Sequence, residues 1–259
     1  MRVLVTGSTG QLGNCLKKIA GSYPHFKFFF YNSQELDITN RLDVKKVFTT
    51  VKPQYCINTA AYTNVEMAET EPEIAYLVNA KAVEYLAKEC LLHETILVHI
   101  STDYVFDGEK KQPYVENDPV NPLNQYGKSK LAGEVLINTL LTSFYIIRTS
   151  WLYSEYGKNF YKTIAQKAKT ENKLWVTNSQ MGCPTNANNL AFFIMKVLET
   201  KPNYGTLHFC DGIAMTWFDF AVKIVNEIGL QNQVEVLVNN QLNTKAIRPA
   251  YSVLKNTNL

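Results

Sequence analysis

Tyr126 and Lys130 are the two residues whose types and spacing most clearly indicate chemistry. They lie four positions apart, and residues four apart on a helix share one face. A free tyrosine titrates near pH ~10, too high for proton transfer at neutral pH, whereas a nearby lysine cation favours the phenolate and lowers that value. Lowering the tyrosine pKa to roughly 7 requires about 4 kcal/mol of differential stabilisation. The pair therefore predicts a tyrosine that exchanges a proton with a bound substrate.

A glycine-rich segment at the start of the chain is the second informative feature. Its three glycines have G-x-x-G-x-x-G spacing, follow a predicted strand and open a predicted helix. Glycines let the backbone approach a pyrophosphate, and the N-terminus of a helix favours negative charge. A plain glycine turn is the alternative reading, but the Tyr126 and Lys130 pair favours a bound nicotinamide dinucleotide. The candidate contacts are Gly7, Thr9, Gly10, Gln11, Leu12 and Gly13.

The end of the second predicted strand bears on which cofactor would bind. A carboxylate there usually binds the ribose 2′-hydroxyl, but the chain reads Tyr31-Asn32-Ser33, with neither a carboxylate nor an arginine. Small polar residues can accept a 2′-phosphate, so the sequence favours NADPH, with NADH tolerated. Further candidates for contacts with the adenine, ribose and pyrophosphate are Asp37, Ile38, Ala60, Ala61 and Tyr62. The alternative roles are a helix cap for Asp37 and packing for Ala60 and Ala61.

Strands and helices alternate along the first half of the chain and would position these residues. The predicted strands are Val3–Thr6, Phe26–Phe30, Tyr55–Ile57, Ile96–Ile100, Tyr145–Ile147, Leu174–Val176 and Leu207–Phe209. The predicted helices are Gln11–Ala20, Arg41–Val51, Glu73–Leu92, Tyr126–Leu141, Phe160–Lys169, Asn188–Glu199 and Trp217–Ile228. Near-continuous apolar strands between helices are typical of a parallel sheet covered on both faces. The sequence thus predicts an α/β protein with a Rossmann-like doubly wound parallel sheet.

The domain organisation predicted from this alternation has two parts. Residues 1–150 would form a dinucleotide-binding domain. Residues 151–259 would mainly form a smaller substrate-binding α/β cap, with some segments returning to the sheet and a ligand cleft between the parts.

Composition narrows the classes of partner. The formal net charge is only +3 and no block of Lys and Arg occurs, so a nucleic-acid partner is not expected. No apolar run is long enough for a membrane span, which favours a cytoplasmic protein. The five cysteines are scattered and odd in number, which indicates reduced buried thiols. We expect a monomer or a homodimer.

Together these residues resemble the extended short-chain dehydrogenase/reductase superfamily. Within it, further motifs are similar to those of the dTDP-4-dehydrorhamnose reductase family, and the similarity covers nearly the whole chain. The motifs, in order, are Asn58–Thr63, Asn79-Ala80, Ser101–Gly108, Asn121–Gly127, Arg148–Trp151, Gln180–Thr185 and Arg248-Pro249. The most specific is the string that begins at Thr102 and ends at Gly108.

The resemblance implies a reaction and a role for each catalytic candidate. NAD(P)H would deliver hydride to C4 of dTDP-4-dehydro-β-L-rhamnose, giving dTDP-L-rhamnose, a precursor of cell-surface polysaccharide. Tyr126 would protonate the alkoxide, and Thr102 would polarise the carbonyl. Lys130 would hold the nicotinamide ribose and lower the tyrosine pKa, and Asn79 would lie at the cofactor.

The resemblance also implies a set of substrate contacts. Trp151 would stack on or wall the sugar nucleotide, with a core position as the alternative. The other residues implied to line the sugar pocket or bind the diphosphate are Asp103, Tyr104, Phe106, Asn159 and Arg248. For Asp103 a turn cap and for Arg248 a surface cation are the alternatives. His99 lies within an apolar strand and is interpreted as a core histidine.

Three features distinguish this chain from relatives of the same superfamily. Tyr104 stands where sugar-nucleotide dehydratases carry a glutamate, which favours reduction over water elimination. Cys15 and Asn188 replace acidic residues that bridge a dimer through a metal in some members, so no metal is predicted. The sequence stops at Leu259, where relatives usually continue into one more helix, so the chain is either clipped or a short member.

Two other functions remain open at this stage. One is another sugar-nucleotide 4-ketoreductase or an epimerase, which would share the same active-site residues. The other is a non-catalytic cofactor-binding regulatory subunit, like the superfamily relative that associates with methionine adenosyltransferase. The presence of both Tyr126 and Lys130 argues against the regulatory subunit.

Overall fold

A six-stranded parallel sheet forms the centre of the computed structural model, which describes residues 1–241 and 244–259. The described strands are, in chain order, β1 (Arg2–Thr6), β2 (Lys27–Tyr31), β3 (Tyr55–Asn58), β4 (Ile96–Thr102), β5 (Phe144–Thr149), β6 (Leu152–Tyr153), β7 (Lys173–Val176), β8 (Met181–Gly182), β9 (Thr185–Asn186), β10 (Gly205–His208), β11 (Met215–Thr216) and β12 (Glu235–Val238). The described α-helices are α1 (Gln11–Ile19), α2 (Arg41–Val51), α3 (Val65–Ala68), α4 (Pro72–Tyr76), α5 (Ala82–Leu92), α6 (Gln125–Leu140), α7 (Phe160–Lys167), α8 (Ala187–Thr200) and α9 (Trp217–Glu227).

The order of strands in the central sheet is β10-β5-β4-β3-β1-β2. The chain steps from β1 to β2 on one side and then crosses to β3 on the other side of β1, so the direction of winding reverses at β1. Ligands of open α/β sheets bind beside the carboxyl ends of the strands at such a reversal point. The predicted doubly wound parallel sheet is confirmed.

Apolar side chains cover both faces of this sheet. On one face, Val3, Val5 and Ile57 pack with residues of α1 and α8. On the other face, Leu4 and Cys56 pack with residues of α2, α5 and α6. Burial on both faces explains why the strands read as near-continuous apolar runs.

The predicted helix Glu73–Leu92 is interrupted in the structure, where a π-helical segment, Leu77–Lys81, joins α4 to α5. A π segment widens one turn of a helix. Here the widened turn brings the carbonyl of Asn79 against Gly133 of α6, where an added Cβ would lie only 2.2 Å from that oxygen. The interruption therefore has a packing cause that the helical periodicity alone does not reveal.

The second half of the chain contributes residues to separate apolar clusters. α7, α9, β7 and β12 enclose an apolar cluster around Phe220. α8 and β10 pack instead with the central sheet. The division of the chain at residue 150 into two domains stays a prediction.

The five cysteines are free thiols and all are buried. Across the described residues, none of the helices has both the length and the apolar character needed to cross a membrane.

Candidate active site

Two neighbouring cavities lie at the carboxyl ends of the central strands. They have volumes of about 560 Å³ and about 300 Å³, and both are lined by Gly10, Thr59 and Ala61. The smaller cavity extends toward the end of β2, and the larger one reaches Tyr126 and Lys130. Together they form a groove across the point where the winding of the sheet reverses.

The glycine segment forms a tight backbone cradle at the centre of this groove. Gly7 has a φ of +67°, and a Cβ added there would lie 2.7 Å from the backbone nitrogen of Ala60. A Cβ on Gly13 would lie 2.5 Å from the carbonyl oxygen of Gly7. Gly10 precedes α1 and has no side chain to cap it, so the first N–H groups of that helix stay open to an anion. These residues fit the pyrophosphate of a dinucleotide.

The smaller cavity contains the candidates for the adenosine end. Asp37 and Ile38 line it with Ser33 and Thr39. Oδ1 of Asp37 also accepts hydrogen bonds from the backbone N–H and the hydroxyl of Thr39, at 2.9 Å and 2.7 Å. Asp37 is thus both a wall of the cavity and a turn cap. Ser33 and Thr39, whose side chains end in hydroxyls, line the same cavity.

Tyr126 reaches the larger cavity because α6 begins close against the turn that follows β4. Nδ2 and Oδ1 of Asn124 anchor this start: Oδ1 accepts from Gly127 N–H at 2.8 Å and Nδ2 donates to the carbonyl of Ile247 at 2.8 Å. A Cβ on Gly127 would lie 2.3 Å from the carbonyl oxygen of Tyr104. The rings of Tyr104 and Tyr126 meet edge to face with centroids 5.9 Å apart.

Thr102, Tyr126 and Lys130 all line the larger cavity, so the structure brings the three catalytic candidates together. Burial raises the pKa of Tyr126 to about 12, although a hydrogen bond with Thr102 acts to lower it. The expectation that Lys130 lowers this pKa is wrong for this structure. The lysine Nζ donates to the carbonyl of Ile100 at 2.7 Å and lies 3.2 Å from Nε2 of His99. Tyr126 therefore holds its proton at neutral pH.

Lys130 has an unusual environment for a lysine. It is 1% exposed, and burial lowers its pKa to about 8, although the negative charge of Glu134 acts to raise it. Oε1 and Oε2 of Glu134 accept hydrogen bonds from the guanidinium of Arg148 at 3.0 Å and 2.7 Å. The ion pair of Glu134 with Arg148 is buried behind Lys130.

Asp103 is the one candidate whose carboxyl titrates near neutrality. Burial raises its pKa to about 7, against the hydrogen bonds that Ser252 and Thr102 donate to it. The Ser252 hydroxyl donates to Oδ2 at 2.5 Å and the Thr102 hydroxyl to Oδ1 at 3.1 Å. Asp103 lines the larger cavity beside Tyr126.

The raised pKa of Asp103 predicts a pH-dependent cost to folding. Its folded pKa of about 7 exceeds the ordinary aspartate value of 3.8, so the stabilisation by the protonated form is complete below pH 3.8 and is lost as the pH rises from there to about 7. Relative to Asp103→Asn, wild type should lose about 1.4 kcal/mol of unfolding free energy per pH unit across that window. The difference in melting temperature, variant minus wild type, should therefore grow from pH 4 to pH 8.

Asp107→Asn is the matched control for this measurement. A hydrogen bond from the backbone N–H of Glu109 lowers the pKa of Asp107, so Asp107 stays ionised in both states through most of that window. Its melting-temperature difference should be nearly flat. A flat difference for Asp103→Asn as well would contradict the raised pKa.

Trp151 lines the larger cavity in a strained backbone conformation, with a φ of +47°. Its indole stacks on that of Trp217, with centroids 3.5 Å apart and planes 5° apart. It also lies on Gly182, where an added Cβ would be 2.4 Å from the ring. Positive φ in a bulky residue costs of order 1–3 kcal/mol and occurs most often at functional sites.

Trp217 is the main site residue that the sequence reasoning missed. It lines both the larger cavity and a third cavity of about 420 Å³. It is the first residue of α9, directly after the N-cap Thr216, whose capping box with Asp219 sets the start of the helix. A large aromatic residue held next to a helix cap is the signal that could have indicated it.

The third cavity has apolar walls and a few polar side chains. Its walls include Phe160, Ile164, Leu174 and Val176. Its polar lining includes Lys167, Gln180 and Arg248.

Two of the predicted diphosphate contacts lie in different cavities. Arg248 lines the third cavity and forms an ion pair with Glu66 at 2.6 Å. Asn159 lines the larger cavity, and its Nδ2 donates to Oε1 of Gln11 at 2.8 Å.

Four predicted contacts do not line these three cavities: Gly13, Tyr62, Asn79 and Phe106. Phe106 is fully buried and stacks on Tyr114 with centroids 4.1 Å apart, so its assignment to the sugar pocket is wrong. The side chain of Asn79 is buried and bonds to both backbone groups of Tyr62 and to the Ser129 hydroxyl. Asn79 thus holds the backbone of Tyr62 next to the groove, and the assignment of both residues to the cofactor stays a prediction.

The positions that bridge metals in some relatives have other roles here. Cys15 is fully buried, and Nδ2 of Asn188 donates to Glu155 at 2.9 Å. Within residues 1–241 and 244–259, no group of three or more His, Cys, Asp or Glu is placed to hold a metal ion.

Comparisons with known proteins agree with this geometry. A family model described as the RmlD substrate binding domain matches residues 1–259. A dTDP-4-dehydrorhamnose reductase of Aggregatibacter actinomycetemcomitans is 39% identical over 100% of this chain and 92% of its own. A dTDP-4-keto-6-deoxy-D-glucose reductase of Streptomyces niveus is 33% identical over 98% of this chain and 88% of its own.

A solved structure extends the similarity to three dimensions. The dTDP-4-dehydrorhamnose reductase of Bacillus anthracis, in complex with NADP, has a TM-score of 0.95 and 37% identity. The match covers 99% of this chain and 90% of that chain. From the family model and these identities over nearly the full length, we conclude that the chain belongs to the dTDP-4-dehydrorhamnose reductase family.

Proposed function

We propose that this protein reduces the C4 keto group of dTDP-4-dehydro-β-L-rhamnose to the alcohol of dTDP-L-rhamnose, with NADPH as the reductant. The observation that carries the proposal is the convergence of Thr102, Tyr126 and Lys130 on one cavity, next to the glycine cradle at Gly7. NADPH, when bound along the cradle, supplies the hydride to the carbonyl carbon.

The choice of NADPH over NADH rests on two observations. The Bacillus anthracis relative was solved with NADP. The wall near the end of β2 presents the hydroxyl of Ser33, which can donate a hydrogen bond to a 2′-phosphate. NADH remains the weaker alternative.

Tyr126 acts as the proton donor in this proposal. Its pKa of about 12 keeps the phenol protonated at working pH, and an alkoxide formed at C4 is a stronger base than the phenolate. Proton transfer from Tyr126 to that oxygen is therefore downhill. Lys130 lies one turn along α6 with its Nζ at the floor of the same cavity, where it can hold the nicotinamide ribose.

Thr102 supplies the second contact to the reacting oxygen. Its hydroxyl lies at the end of β4, where it donates to Oδ1 of Asp103 at 3.1 Å, and it can rotate to donate to a carbonyl oxygen in the cavity. A donor at this position stabilises negative charge as it develops on the carbonyl oxygen. Asp103, next in the chain, has a pKa of about 7, and its neutral form suits the reaction better because a carboxylate there would repel the alkoxide.

Tyr104 supports reduction over elimination of water. Burial raises the pKa of its phenol well above the usual range, so it cannot act as a base at neutral pH. The residue that replaces the dehydratase glutamate is thus chemically unfit for that role.

The third cavity fits the nucleotide end of the substrate. Its apolar walls suit a pyrimidine base, and Lys167 and Arg248 supply positive charge for the diphosphate. Trp217 lines both this cavity and the larger one. We propose that residues 151–259 form the substrate-binding part and residues 1–150 the cofactor-binding part.

We further propose a cytoplasmic location, because the five buried thiols are unpaired and such thiols suit a reducing compartment. We propose a monomer or a homodimer, with no nucleic-acid partner, since the net charge is only +3.

The test is NADPH consumption on addition of dTDP-4-dehydro-L-rhamnose, prepared in situ by its upstream enzymes, with the product identified by chromatography. We expect dTDP-L-rhamnose and a lower rate with NADH. If NADPH is oxidised on addition of dTDP-4-keto-6-deoxy-D-glucose instead, the chain would have the activity for which the Streptomyces niveus relative is named. Binding of NADPH without oxidation of either substrate would favour a regulatory subunit.

Gly182→Ala should weaken substrate binding without affecting the cofactor. The new methyl group would lie 2.4 Å from the Trp151 ring, so the indole must move while the backbone of residue 182 keeps an ordinary φ. We expect KM for the sugar nucleotide to rise about tenfold, as for a contact worth about 1.4 kcal/mol, with an unchanged Kd for NADPH.

Gly21→Ala is the control, because an added Cβ there meets no described atom within 4 Å. An unchanged KM in Gly182→Ala would show that the position of Trp151 does not matter for substrate binding. An altered Kd for NADPH would place Trp151 in the cofactor site instead.

A further inference from the structure

A row of polar side chains crosses the sheet beneath the candidate active site. Thr6, Asn58 and His99 occupy paired positions on the adjacent strands β1, β3 and β4, and each is fully buried. The Thr6 hydroxyl donates to Oδ1 of Asn58 at 2.6 Å, and Nδ2 of Asn58 lies 3.0 Å from Nδ1 of His99. The row ends at Lys130, whose Nζ lies 3.2 Å from Nε2 of His99.

His99 has a hydrogen-bonding partner at each ring nitrogen. A neutral imidazole can donate from one nitrogen and accept at the other, so its hydrogen bonds run in one of two directions. Burial and the charge of Lys130 lower the pKa of His99 well below its usual range, so the ring is neutral and has one N–H and one lone pair. In the observed arrangement, the Asn58 amide donates to Nδ1. The ring hydrogen is then on Nε2, directed at Lys130, which suits a neutral lysine amine.

A lysine ammonium requires the opposite arrangement. It has donors and no acceptor, so Nε2 must offer its lone pair and the ring hydrogen must be on Nδ1. The Asn58 amide then turns its oxygen toward Nδ1, and its NH₂ group faces the Thr6 hydroxyl, which can accept. In each arrangement both ring nitrogens of His99 and the Asn58 amide keep a hydrogen-bonding partner in the row.

We propose that His99 is a positioning residue for Lys130, and that the row Thr6–Asn58–His99 reverses its hydrogen-bond direction when Lys130 gains or loses a proton. The imidazole keeps one N–H in both states, so the net change is the single proton that Lys130 releases. In catalysis, the row would hold the ammonium in place while it binds the cofactor ribose.

Other charged and titratable groups around Lys130 do not replace this role. From α6, Tyr126 lies one turn before Lys130 and stays protonated, because its pKa is about 12. Glu134 lies one turn after Lys130, but Arg148 from β5 occupies both of its oxygens. From β4, the carbonyl of Ile100 accepts from Nζ and cannot titrate. His99 is the group in contact with Nζ that can change its hydrogen-bond direction.

The first test uses the wild-type protein labelled with ¹⁵N in its four histidines. Long-range ¹H–¹⁵N spectra report the tautomer of each ring, and the spectrum of His99→Asn assigns the His99 signals by their loss. We expect His99 to stay neutral from about pH 6 to about pH 10 and to move its N–H from Nδ1 to Nε2 near pH 8, the pKa of Lys130 being about 8. A single tautomer throughout, or a protonated ring, would overturn the proposal.

The second test compares two amide replacements of His99. His99→Gln places an amide near the position of Nε2 and keeps an acceptor for Lys130. His99→Asn places it near Nδ1 and removes that acceptor. In protein labelled at the lysine ε-carbon, His99→Asn should lower the pKa of Lys130 by about one, as for the loss of one hydrogen bond to a charge, and His99→Gln should leave it close to wild type.

An equal pKa of Lys130 in all three proteins would overturn the proposal. If neither variant folds, the wild-type tautomer measurement decides alone, with a Lys130→Met spectrum in which the His99 tautomer should no longer change with pH. The catalytic consequence rests on the proposed reductase function, but both measurements are made without substrate. Absence of reductase activity would therefore contradict the proposed function. The inference about His99 would still be decided by the tautomer and lysine pKa measurements.

Discussion

Tyr126→Phe should retain NADPH binding and lose most turnover, with kcat falling about 10²- to 10⁴-fold, the usual contribution of a positioned general acid. The change removes only the hydroxyl. The ring of phenylalanine can keep the edge-to-face contact with Tyr104, whose centroid lies 5.9 Å away. The measurement is steady-state NADPH oxidation together with Kd for NADPH by fluorescence.

The direction of the Tyr126 pKa makes this prediction sharper. Burial raises it to about 12, so the wild-type rate should show no loss from ionisation of this phenol at neutral or mildly alkaline pH. Tyr204→Phe is the control, because Tyr204 is an exposed tyrosine. Near wild-type turnover in Tyr126→Phe would remove Tyr126 from the role of proton donor.

Thr102→Val should lower kcat about 10²- to 10³-fold, the usual effect of removing one donor to a developing oxyanion. Valine has nearly the same shape as threonine, so the cavity keeps its form. The change also removes the acceptor that caps the turn after β4, since Oγ1 of Thr102 accepts from Tyr104 N–H at 3.2 Å. KM should change far less than kcat, because the contact strengthens mainly in the transition state.

Thr102→Ser separates the chemical role from the structural one. Serine keeps the hydroxyl for both the carbonyl and the turn, and should recover activity to within about tenfold of wild type. Equal losses in the serine and valine variants would show that the hydroxyl alone does not account for the role of Thr102. A valine variant with normal kcat would remove Thr102 from the reaction.

Much of this fold follows from patterns that are local in the sequence. The helix Arg41–Val51 was predicted with its observed bounds, because the Asn40 side chain caps it and the apolar spacing is regular. The glycine segment predicted the cradle, because Gly7 and Gly13 have no room for a side chain. Each of these features depends on residues close together in the chain.

Features that depend on long-range packing were harder to predict. The π segment Leu77–Lys81 arises from the approach of Gly133 on another helix. Trp217 joins the site only because its ring stacks on Trp151. Phe106 belongs to a strongly specific motif, yet its position after the turn directs it into the core beside Tyr114. Spacing identifies which residues are close, but not which side of an element faces a cavity.

The pKa of Tyr126 also depends on packing that the spacing of residues does not reveal. Tyr126 and Lys130 both line the larger cavity, as their spacing of four residues along α6 allows. The spacing predicted the wrong direction for the tyrosine pKa, because burial outweighs the lysine charge and because the lysine donates to Ile100 and faces His99. The raised pKa keeps the phenol protonated, which suits a proton donor. The proposed role of Tyr126 therefore rests on burial of the phenol and not on the charge of Lys130.

The most direct test of the reductase proposal is to follow the hydrogen itself. The enzyme would be supplied with dTDP-4-dehydro-L-rhamnose and with NADPH carrying deuterium at C4 of the nicotinamide, on each face in separate reactions. We predict that one of the two labelled cofactors gives dTDP-L-rhamnose with one deuterium, bound to C4 of the sugar, as read by mass spectrometry and NMR. Product without deuterium from both cofactors, or with deuterium at another carbon, would contradict hydride transfer to C4.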